Sequence, residues 1–430
     1  MKKRLYSGIS AIMTAMVIAA VFDLNTNVTT DAGMSVEMKT YYDKTLIENA
    51  EPMLVHDRLA QKRNIPKGNG KTIEFRKYSP FPKALTPLTE GVTPDGRKMD
   101  VTNLTATVSQ YGDYVTLSDV LILTAIDNNM LEAYTLLGSQ AGRTLDTITR
   151  EVINGGSNVQ YGNGTKTGRH LLVGGEVSGN DYLTVVAVRK AVRFLKTMNA
   201  PKYEGSYWAI IHPDTAYDIM SDPDWQKPHQ YVDTANIYDD EIGRIAGCRF
   251  METTEAKIFH ADDLTVKDGT DLGYRTLTVA SVSTKTFTVD EKITTAQATA
   301  LVGRKVVIKG VLYTVASAAA GAAGAATITV AETVSGSPGD GDIVYPGEAG
   351  AKGRDVYSTL FMGANAYGTT EVEGGGLTTI TKQLGSAGTG DPLNQRATCG
   401  WKAIKTTVRL VEAYMIRVET ASTFDEGVAN

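Results

Sequence analysis

Cysteine is scarce in this chain of 430 residues, which contains only Cys248 and Cys399. Two thiols cannot build a disulfide framework, and they cannot complete a zinc site without other ligands. The five histidines are scattered, and no two of them have the spacing of a metal-binding pair. Packing of a hydrophobic core must therefore stabilise the fold, and both cysteines are predicted to be small buried hydrophobes.

The chain also lacks a strong excess of charge of one sign, since its formal net charge is −5. This balance excludes nucleic-acid binding through bulk basicity, although a local basic face remains compatible with it. The hydrophobic share of 42% and the charged share of 21% are ordinary for a soluble protein. The length predicts two or three compact domains.

The N-terminus lacks an apolar run of membrane-spanning length. Ile9–Phe22 is shorter than the about 20 residues that a spanning helix needs. Because Lys2, Lys3 and Arg4 precede this run, the segment resembles a signal peptide, but only Ala19-Ala20 offers a weak cleavage site. An amphipathic or disordered arm and an upstream start codon are the alternatives.

Two strand-like segments flank a long stretch that is rich in proline. Lys71–Tyr78 and Val101–Tyr111 alternate apolar and polar residues, which is the period of a half-exposed strand. The connection Ser79–Asp100 contains four prolines and far exceeds the about two to five residues of a usual hairpin loop. It has too few large apolar residues for a core, and isolated hairpins are marginally stable. We predict that this arm lies along a neighbouring subunit; a mobile active-site lid is the competing interpretation.

Apolar residues at spacings of three and four predict a long helix over Met130–Asn154, about 40 Å in length. Asp127 is a candidate N-cap, and Gly155-Gly156 supplies the stop. The apolar stripe is predicted to face the core, whereas Asp146 and Arg150 are placed on the polar side, one turn apart.

Two further helices are predicted. Tyr41–Arg63 has interspersed leucines, although Pro52 interrupts the pattern. In Tyr182–Met198, four apolar residues face inward and four cations gather elsewhere; the cations are Arg189, Lys190, Arg193 and Lys196. These cations either meet phosphate groups of packaged nucleic acid, or form a solvated face, or pair with acids across an interface.

Strands are predicted for the rest of the chain. Ser206–Ile211 reads as a buried strand, Gly243–Glu252 is strand-like, and Ala403–Leu410 and Tyr414–Val418 are terminal strands. The segment 262–350 is a separate, Val/Thr-rich module typical of a small β-barrel or β-sandwich, and is predicted to be an insertion. Its strands are Thr276–Val282, Lys285–Val289, Lys305–Val315 and Ala326–Val334, and its Ala/Gly tract Ala316–Ala326 is predicted to be a flexible loop or tight turn.

Catalytic motifs are missing. KGNGKT at 67–72 resembles a phosphate loop, but Ile65 stands where the motif requires glycine. Asp340-Gly341-Asp342 lacks the downstream glutamate of a calcium loop and reads as a turn. No serine lies in a nucleophile elbow. We assign no catalytic, cofactor-binding or metal-binding residue, predict no cofactor, and expect a protein that is not an enzyme.

Long ordered runs of the sequence resemble the major capsid protein of tailed bacteriophages, with the coat proteins of the coliphage N-four type as the most similar group. The resemblance covers most of the chain. The runs are FDLN at 22–25, SVEMKTYYDKTLIENAEPMLVHDRLAQKRNIPKGNGKTIEFRKY at 35–78, KALTPLTEGVTPDG at 83–96, LGSQAGRTLDTITREVINGG at 137–156, IGRIAGCRFMETTEAKIF at 242–259, VYSTLFMGANAYG at 356–368 and QLGSAGTGDPLNQRATCGWKA at 383–403.

The resemblance implies an α+β fold of the Hong Kong 97 capsid type. The segment before Phe22 has no counterpart in it, so an arm or a start-site artefact is favoured there over export. The implied divisions are an N-terminal arm (1–70), an extension loop (71–115), a peripheral domain with a spine helix (116–200), a first axial part (201–261), an inserted β domain (262–350), a second axial part (351–400) and a return to the peripheral domain (401–430).

The function expected from the resemblance is a coat protein that self-assembles into an icosahedral shell around double-stranded DNA. Its expected partners are further copies in hexamers and pentamers, a portal, scaffolding or decoration proteins, and DNA held by non-specific contact, with no membrane. The expected location is the virion, after assembly in the bacterial cytoplasm. A secreted β-rich surface or adhesion protein is the alternative, and a hydrolase with a mobile lid ranks last.

Overall fold

The computed structural model describes residues 55–68, 70–78, 81–88, 90–93, 95–124, 129–175, 179–225, 243–372, 376–386 and 391–424. Within these ranges the helices are α1 (Asp119–Thr124), α2 (Asn129–Asn154), α3 (Val185–Thr197), α4 (Pro213–Met220) and α5 (Thr295–Leu301).

The strands of the same ranges form a five-stranded sheet, a seven-stranded sheet, a closed barrel and a two-stranded ribbon. They are β1 (Gln61–Ile65), β2 (Thr72–Tyr78), β3 (Val101–Thr107), β4 (Ser109–Ser118), β5 (Val159–Tyr161), β6 (Tyr207–Ile211), β7 (Arg244–Ile245), β8 (Cys248–Glu252), β9 (Ile258–Phe259), β10 (Leu277–Val282), β11 (Thr286–Val289), β12 (Lys305–Ile308), β13 (Val311–Ala319), β14 (Ala326–Val330), β15 (Ile343–Pro346), β16 (Val356–Met362), β17 (Tyr367–Val372), β18 (Thr378–Lys382), β19 (Arg396–Arg409) and β20 (Met415–Thr420).

The long helix α2 packs on the five-stranded sheet, in which β19 pairs with β4, β17 and β18. Ala133, Leu137 and Ala141 of the helix meet Cys399, Trp401 and Ala403 of β19. The helix ends at Asn154, and the Gly155 amide donates to the Glu151 carbonyl at 3.0 Å. The predicted helix and its glycine stop are confirmed; the candidate cap Asp127 lies outside the described residues.

The polar side predicted for this helix is wrong in its C-terminal half, because Asp146 and Arg150 are buried. Ile148 and Val152, which were expected to face the core, are only half-buried. Asp146 contacts His56, and Arg150 donates to the Glu255 carbonyl at 2.9 Å. Polar partners from distant segments determine which face of the helix is buried here. The helical spacing of apolar residues does not reveal those partners.

The seven-stranded sheet has the order β5-β20-β16-β6-β8-β7, with β9 also paired to β16. Helices α3 and α4 cover one face with an apolar cluster that includes Val188, Val192, Leu195 and Ile219. The predicted inward side of α3 is therefore confirmed. On the other face, Ile210 and Leu360 pack with Val55, Leu59 and Ile153.

The inserted module is a closed barrel with strand order β10-β11-β14-β13-β12-β15, which confirms a small inserted β-barrel. Two details of the prediction are wrong. The segment 305–315 is a hairpin, because Lys309 (φ 47°) and Gly310 (φ 76°) turn the chain between β12 and β13. The Ala/Gly tract is not entirely a loop, since β13 runs to Ala319 and pairs with β14.

The helix predicted over Tyr41–Arg63 is wrong for its described part. Residues 55–60 form a turn, and Gln61–Ile65 pair in parallel with Gly368–Val372 of β17. A tertiary ladder thus overrides the local helical pattern. The residues before Val55 lie outside the described residues, as does the signal-like segment.

Each sheet combines segments from different predicted divisions. Helix α3 packs on the sheet that contains β6 and β16, and β20 pairs with β16 in the same sheet. Strands β17, β18 and β19 instead join β4 in the sheet under α2. The domain boundaries given above remain predictions.

Candidate assembly surfaces

The arm, defined here as residues 72–107, is a two-stranded ribbon with a long connection. All seven residues of β2 pair with β3, from Thr72 opposite Thr107 to Tyr78 opposite Val101. The described residues between 81 and 100 form no helix or strand. The first predicted strand and the non-repetitive connection are confirmed, whereas the predicted strand Val101–Tyr111 is interrupted at Val108 and its last three residues belong to β4.

Among the described residues of the arm, buried side chains lie only near its root. Phe75, Ala106 and Val108 are buried, and the Arg63 guanidinium lies 5.8 Å from the centroid of the Phe75 ring. The Val108 amide donates to the Lys71 carbonyl at 3.0 Å, immediately before the chain enters β4. The arm is therefore anchored at one end and leaves the body from there.

The outer part of the arm exposes large apolar side chains. Leu85 is 82% exposed and Leu88 is 77% exposed. Further exposed apolar residues are Tyr78, Phe81, Val92, Met99 and Val101. Scattered exposed apolar residues are common, but this many along one slender segment is typical of a surface that meets a partner.

Val120 and Leu123 of α1 and Leu136 of α2 are also exposed apolar residues. Strand β18 is exposed along its whole length and lies at one end of the five-stranded sheet. Tyr134 of α2 and Thr381 of β18 are joined by a side-chain hydrogen bond. An open strand edge can accept another strand, so this side of the body is also suited to association.

A buried polar network ties the turn at 55–60 to the long helix. The Asp146 carboxylate accepts from the His56 amide at 2.9 Å, and its other oxygen lies 2.6 Å from His56 Nδ1. Thr149 donates to Asp57 at 2.6 Å, and the buried Lys405 ammonium pairs with the same carboxylate. This network fixes the turn at 55–60 against α2 and β19.

A second polar network joins the barrel to the seven-stranded sheet. Glu419 is fully buried and accepts from Arg169 through both carboxylate oxygens, at 2.7 and 2.8 Å, and from Arg417 at 2.7 Å. Arg169 also donates to the Glu348 carbonyl at 3.1 Å and covers the Phe259 ring. Because Glu348 lies where the chain leaves the barrel, these contacts hold the barrel in a defined orientation.

Comparison with known proteins agrees with this architecture. Residues 102–253 match the family model described as phage capsid protein. A search of curated proteins found no match. Among solved structures, the chain is similar to the capsid of Ralstonia phage GP4 (TM-score 0.52, 11% identity, 92% of this chain and 98% of that chain) and to the capsid of cyanophage Pam1 (0.51, 13%, 94% and 100%). It is also similar to the capsid of cyanophage P-SCSP1u (TM-score 0.50, 12% identity, 93% of this chain and 98% of that chain).

This chain has the Hong Kong 97-type capsid fold. The fold implied by the resemblance to major capsid proteins of tailed phages is therefore confirmed, and residues 102–253 carry the match to the phage capsid family model.

Three of the described histidines contact carboxylates. His56 pairs with Asp146, His212 with Asp214 at 3.2 Å, and His260 with Asp355 at 2.7 Å. Over the described ranges, no group of three or more His, Cys, Asp or Glu residues is arranged to hold a metal ion. A search of the described helices also finds no candidate membrane span.

A cleft of about 460 Å³ lies between the barrel and the turn Arg169–Leu171. Lys309 and Asp342 form an ion pair of 2.9 Å at its edge. Burial, and next the charge of Lys305, lower the pKa of His170, which favours its neutral form. Neither serine nor cysteine is among the described residues that line the cleft, and its hydroxyl group is the phenol of Tyr345.

Both thiols are predicted to be inert in the folded protein. Cys248 and Cys399 are buried, as expected from the sequence, and burial raises the pKa of each thiol. Because the reactive species is the thiolate, a raised pKa lowers its fraction at mildly alkaline pH. We expect neither cysteine to react with a disulfide reagent at pH 8 until denaturant is added, and then both to react. Rapid labelling of either residue in the native subunit would contradict this assignment.

Proposed function

We propose that the protein is the major capsid subunit of a tailed phage, which self-assembles through hexamers and pentamers into an icosahedral shell around double-stranded DNA. Assembly would take place in the host cytoplasm. A portal, and scaffolding or decoration proteins, would be its other partners. No residue is proposed to be catalytic, and no cofactor is needed.

The observation that carries the proposal is the arm, which exposes Leu85 and Leu88 and whose described residues bury side chains only near its root. A two-stranded ribbon without a core is marginally stable by itself. Packing the ribbon on another copy removes this apolar surface from water, at about 25 cal/mol per Å² buried. We therefore propose that each arm lies over a neighbouring subunit.

The named regions of the fold are part of the same proposal. The seven-stranded sheet with α3 would contribute to the axial domain, and α2 with the five-stranded sheet would form the peripheral domain. The barrel is proposed to stand on the outer surface of the shell. The barrel is attached through two short connections, near Ala261 and Ala351. Arg304 donates to the Leu264 carbonyl at 3.2 Å beside the first, and Arg275 donates to the Gly353 carbonyl at 3.0 Å beside the second.

Electron microscopy of the expressed full-length protein tests the proposal. We expect shells, tubes or isolated capsomers, and sedimentation velocity should show that large species grow with subunit concentration. Hydrogen exchange should show protection of the arm in the assembled fraction. A subunit that stays strictly monomeric at high concentration, with an arm already protected from exchange, would contradict the proposal.

A further inference from the structure

The solvent-facing side of α3 carries four cations and no acid. Arg189, Lys190, Arg193 and Lys196 are all exposed, and the helix contains neither aspartate nor glutamate. Its other side is fixed to the seven-stranded sheet by six buried apolar residues: Val185, Ala187, Val188, Ala191, Val192 and Leu195. The four charges, which we call the basic face, therefore stand on a rigid support.

The cations of the basic face have no acidic partner among the described residues, in contrast to several other lysines of the molecule. Elsewhere, Lys257 pairs with Glu151 at 2.9 Å and Lys292 with Asp271 at 2.7 Å. In the described ranges, the side chains of Arg189, Arg193 and Lys196 have no ion pair or hydrogen bond, and the Lys190 ammonium donates only to the Asn163 carbonyl. In a chain of net charge −5, this is a local concentration of free positive charge.

The helix dipole does not explain the whole arrangement. Cations in the last turn of a helix are stabilised by the partial negative charge there, which accounts for Lys196. Arg189 lies in the second turn, beyond the reach of that effect. The helix dipole therefore gives no reason for a cation at Arg189. It also does not explain why the cations are aligned on one side of the helix.

We propose that the basic face binds the phosphate backbone of duplex DNA. This inference rests on the proposed function, in which the shell encloses double-stranded DNA. Arg189 and Lys196 are about 10 Å apart along the helix axis. A duplex presents about one phosphate charge per 1.7 Å, so several phosphates lie within reach of the four side chains. Phosphate contacts carry no sequence information, which suits a surface that must accept any part of a genome.

The salt dependence of DNA binding tests this assignment. The probe is a short fluorescent duplex of arbitrary sequence, titrated with subunit below its assembly concentration and followed by anisotropy at several salt concentrations. In the triple variant Arg189→Gln, Arg193→Gln and Lys196→Gln, three phosphate contacts are removed. We expect the slope of log K against log salt to become less steep by about 0.9 for each contact, or about 2.7 in all. The variant Arg189→Lys with Arg193→Lys should retain the wild-type slope.

A matched control removes the same charge from the barrel. Lys267, Lys285 and Lys305 are exposed, and replacing all three by glutamine should leave the slope unchanged. Equal slopes for wild type and the α3 variant, or equal losses in both triple variants, would overturn the assignment. A folded α3 variant that no longer assembles but keeps the wild-type slope would also overturn it, and would assign the face to an acidic surface of a neighbouring copy.

The outcome is separable from the proposed function. Shells of normal size from the α3 variant, with a reduced salt slope, support both proposals. If the wild-type protein binds the duplex through the basic face but forms no shell or capsomer at any concentration, the capsid proposal fails while the binding face stands. If wild-type shells form and the slope does not depend on α3, the inference fails alone.

Discussion

A subunit carrying Leu85→Asp and Leu88→Asp is expected to remain folded and to form no shells. Both leucines are more than three-quarters exposed in the isolated chain, so their replacement removes almost no contact within the subunit. In an assembled shell, each buried leucine would contribute about 1.5–3 kcal/mol, and each aspartate would instead be a carboxylate to be desolvated without a partner. The loss at every arm contact is then at least about 3 kcal/mol, which weakens each contact more than a hundredfold.

Sedimentation velocity and electron microscopy measure this loss, while the thermal unfolding midpoint reports on the subunit. The matched control is Val266→Asp with Leu272→Asp, because these residues are comparably exposed on the segment that leads into the barrel. We expect the control to assemble and both variants to unfold at the wild-type temperature. Wild-type yields of shells from the arm variant would refute the proposed role of the arm.

Local sequence patterns predict the elements that are buried on one face and exposed on the other. Apolar and polar residues alternate at helical spacing in α3 because the seven-stranded sheet covers only one side of the helix. All four residues predicted to face inward are buried: Val185, Val188, Val192 and Leu195. The arm was predictable for a different reason. The four prolines of its connection prevent that stretch from forming a helix or sheet, and its large apolar residues are too few to build a core of their own.

The short helix α5 was missed, although its start has a local signal. The Thr294 hydroxyl accepts from the Gln297 amide, and the Gln297 side chain accepts from the Thr294 amide, which together form a capping box. The helix has only seven residues, Thr295–Leu301, and lies within a Val/Thr-rich module. A capping pair at this spacing was therefore the one available clue, and periodicity alone could not identify so short a helix.

The buried charges could not be predicted from local patterns. Asp146 was placed on the polar side of α2 because a charged residue in a helix is usually solvated, whereas it meets His56, which is 90 residues away in the chain. Lys405 is likewise buried against Asp57, 348 residues earlier. A single sequence does not reveal which distant polar residues meet, so the networks that fix the turn at 55–60 and the barrel require the three-dimensional structure.

The most destabilising single change is expected to be Glu419→Ala. Glu419 has no solvent exposure and accepts hydrogen bonds from two arginines, Arg169 and Arg417. Removing one partner of a buried ion network leaves charge without compensation and costs about 3–5 kcal/mol. The residue lies in β20, opposite Ser358 of β16 and Tyr161 of β5. The loss therefore falls between two neighbouring strands of the seven-stranded sheet, next to its β5 edge.

Chemical denaturation followed by tryptophan fluorescence measures the effect, because Trp208 and Trp225 belong to or pack on this sheet. Glu412→Ala is the matched control. Its carboxylate pairs with Arg409 at 3.2 Å and accepts from the Ser157 amide and hydroxyl, but it is one-third exposed, so water can take the place of these partners and we expect a loss of about 1 kcal/mol. Glu419→Gln should fall between the two, since the amide keeps the shape and one acceptor but loses the charge. Equal stabilities of Glu419→Ala and Glu412→Ala would mean that Arg169 and Arg417 find other partners, and that the network does not hold the barrel to the sheet.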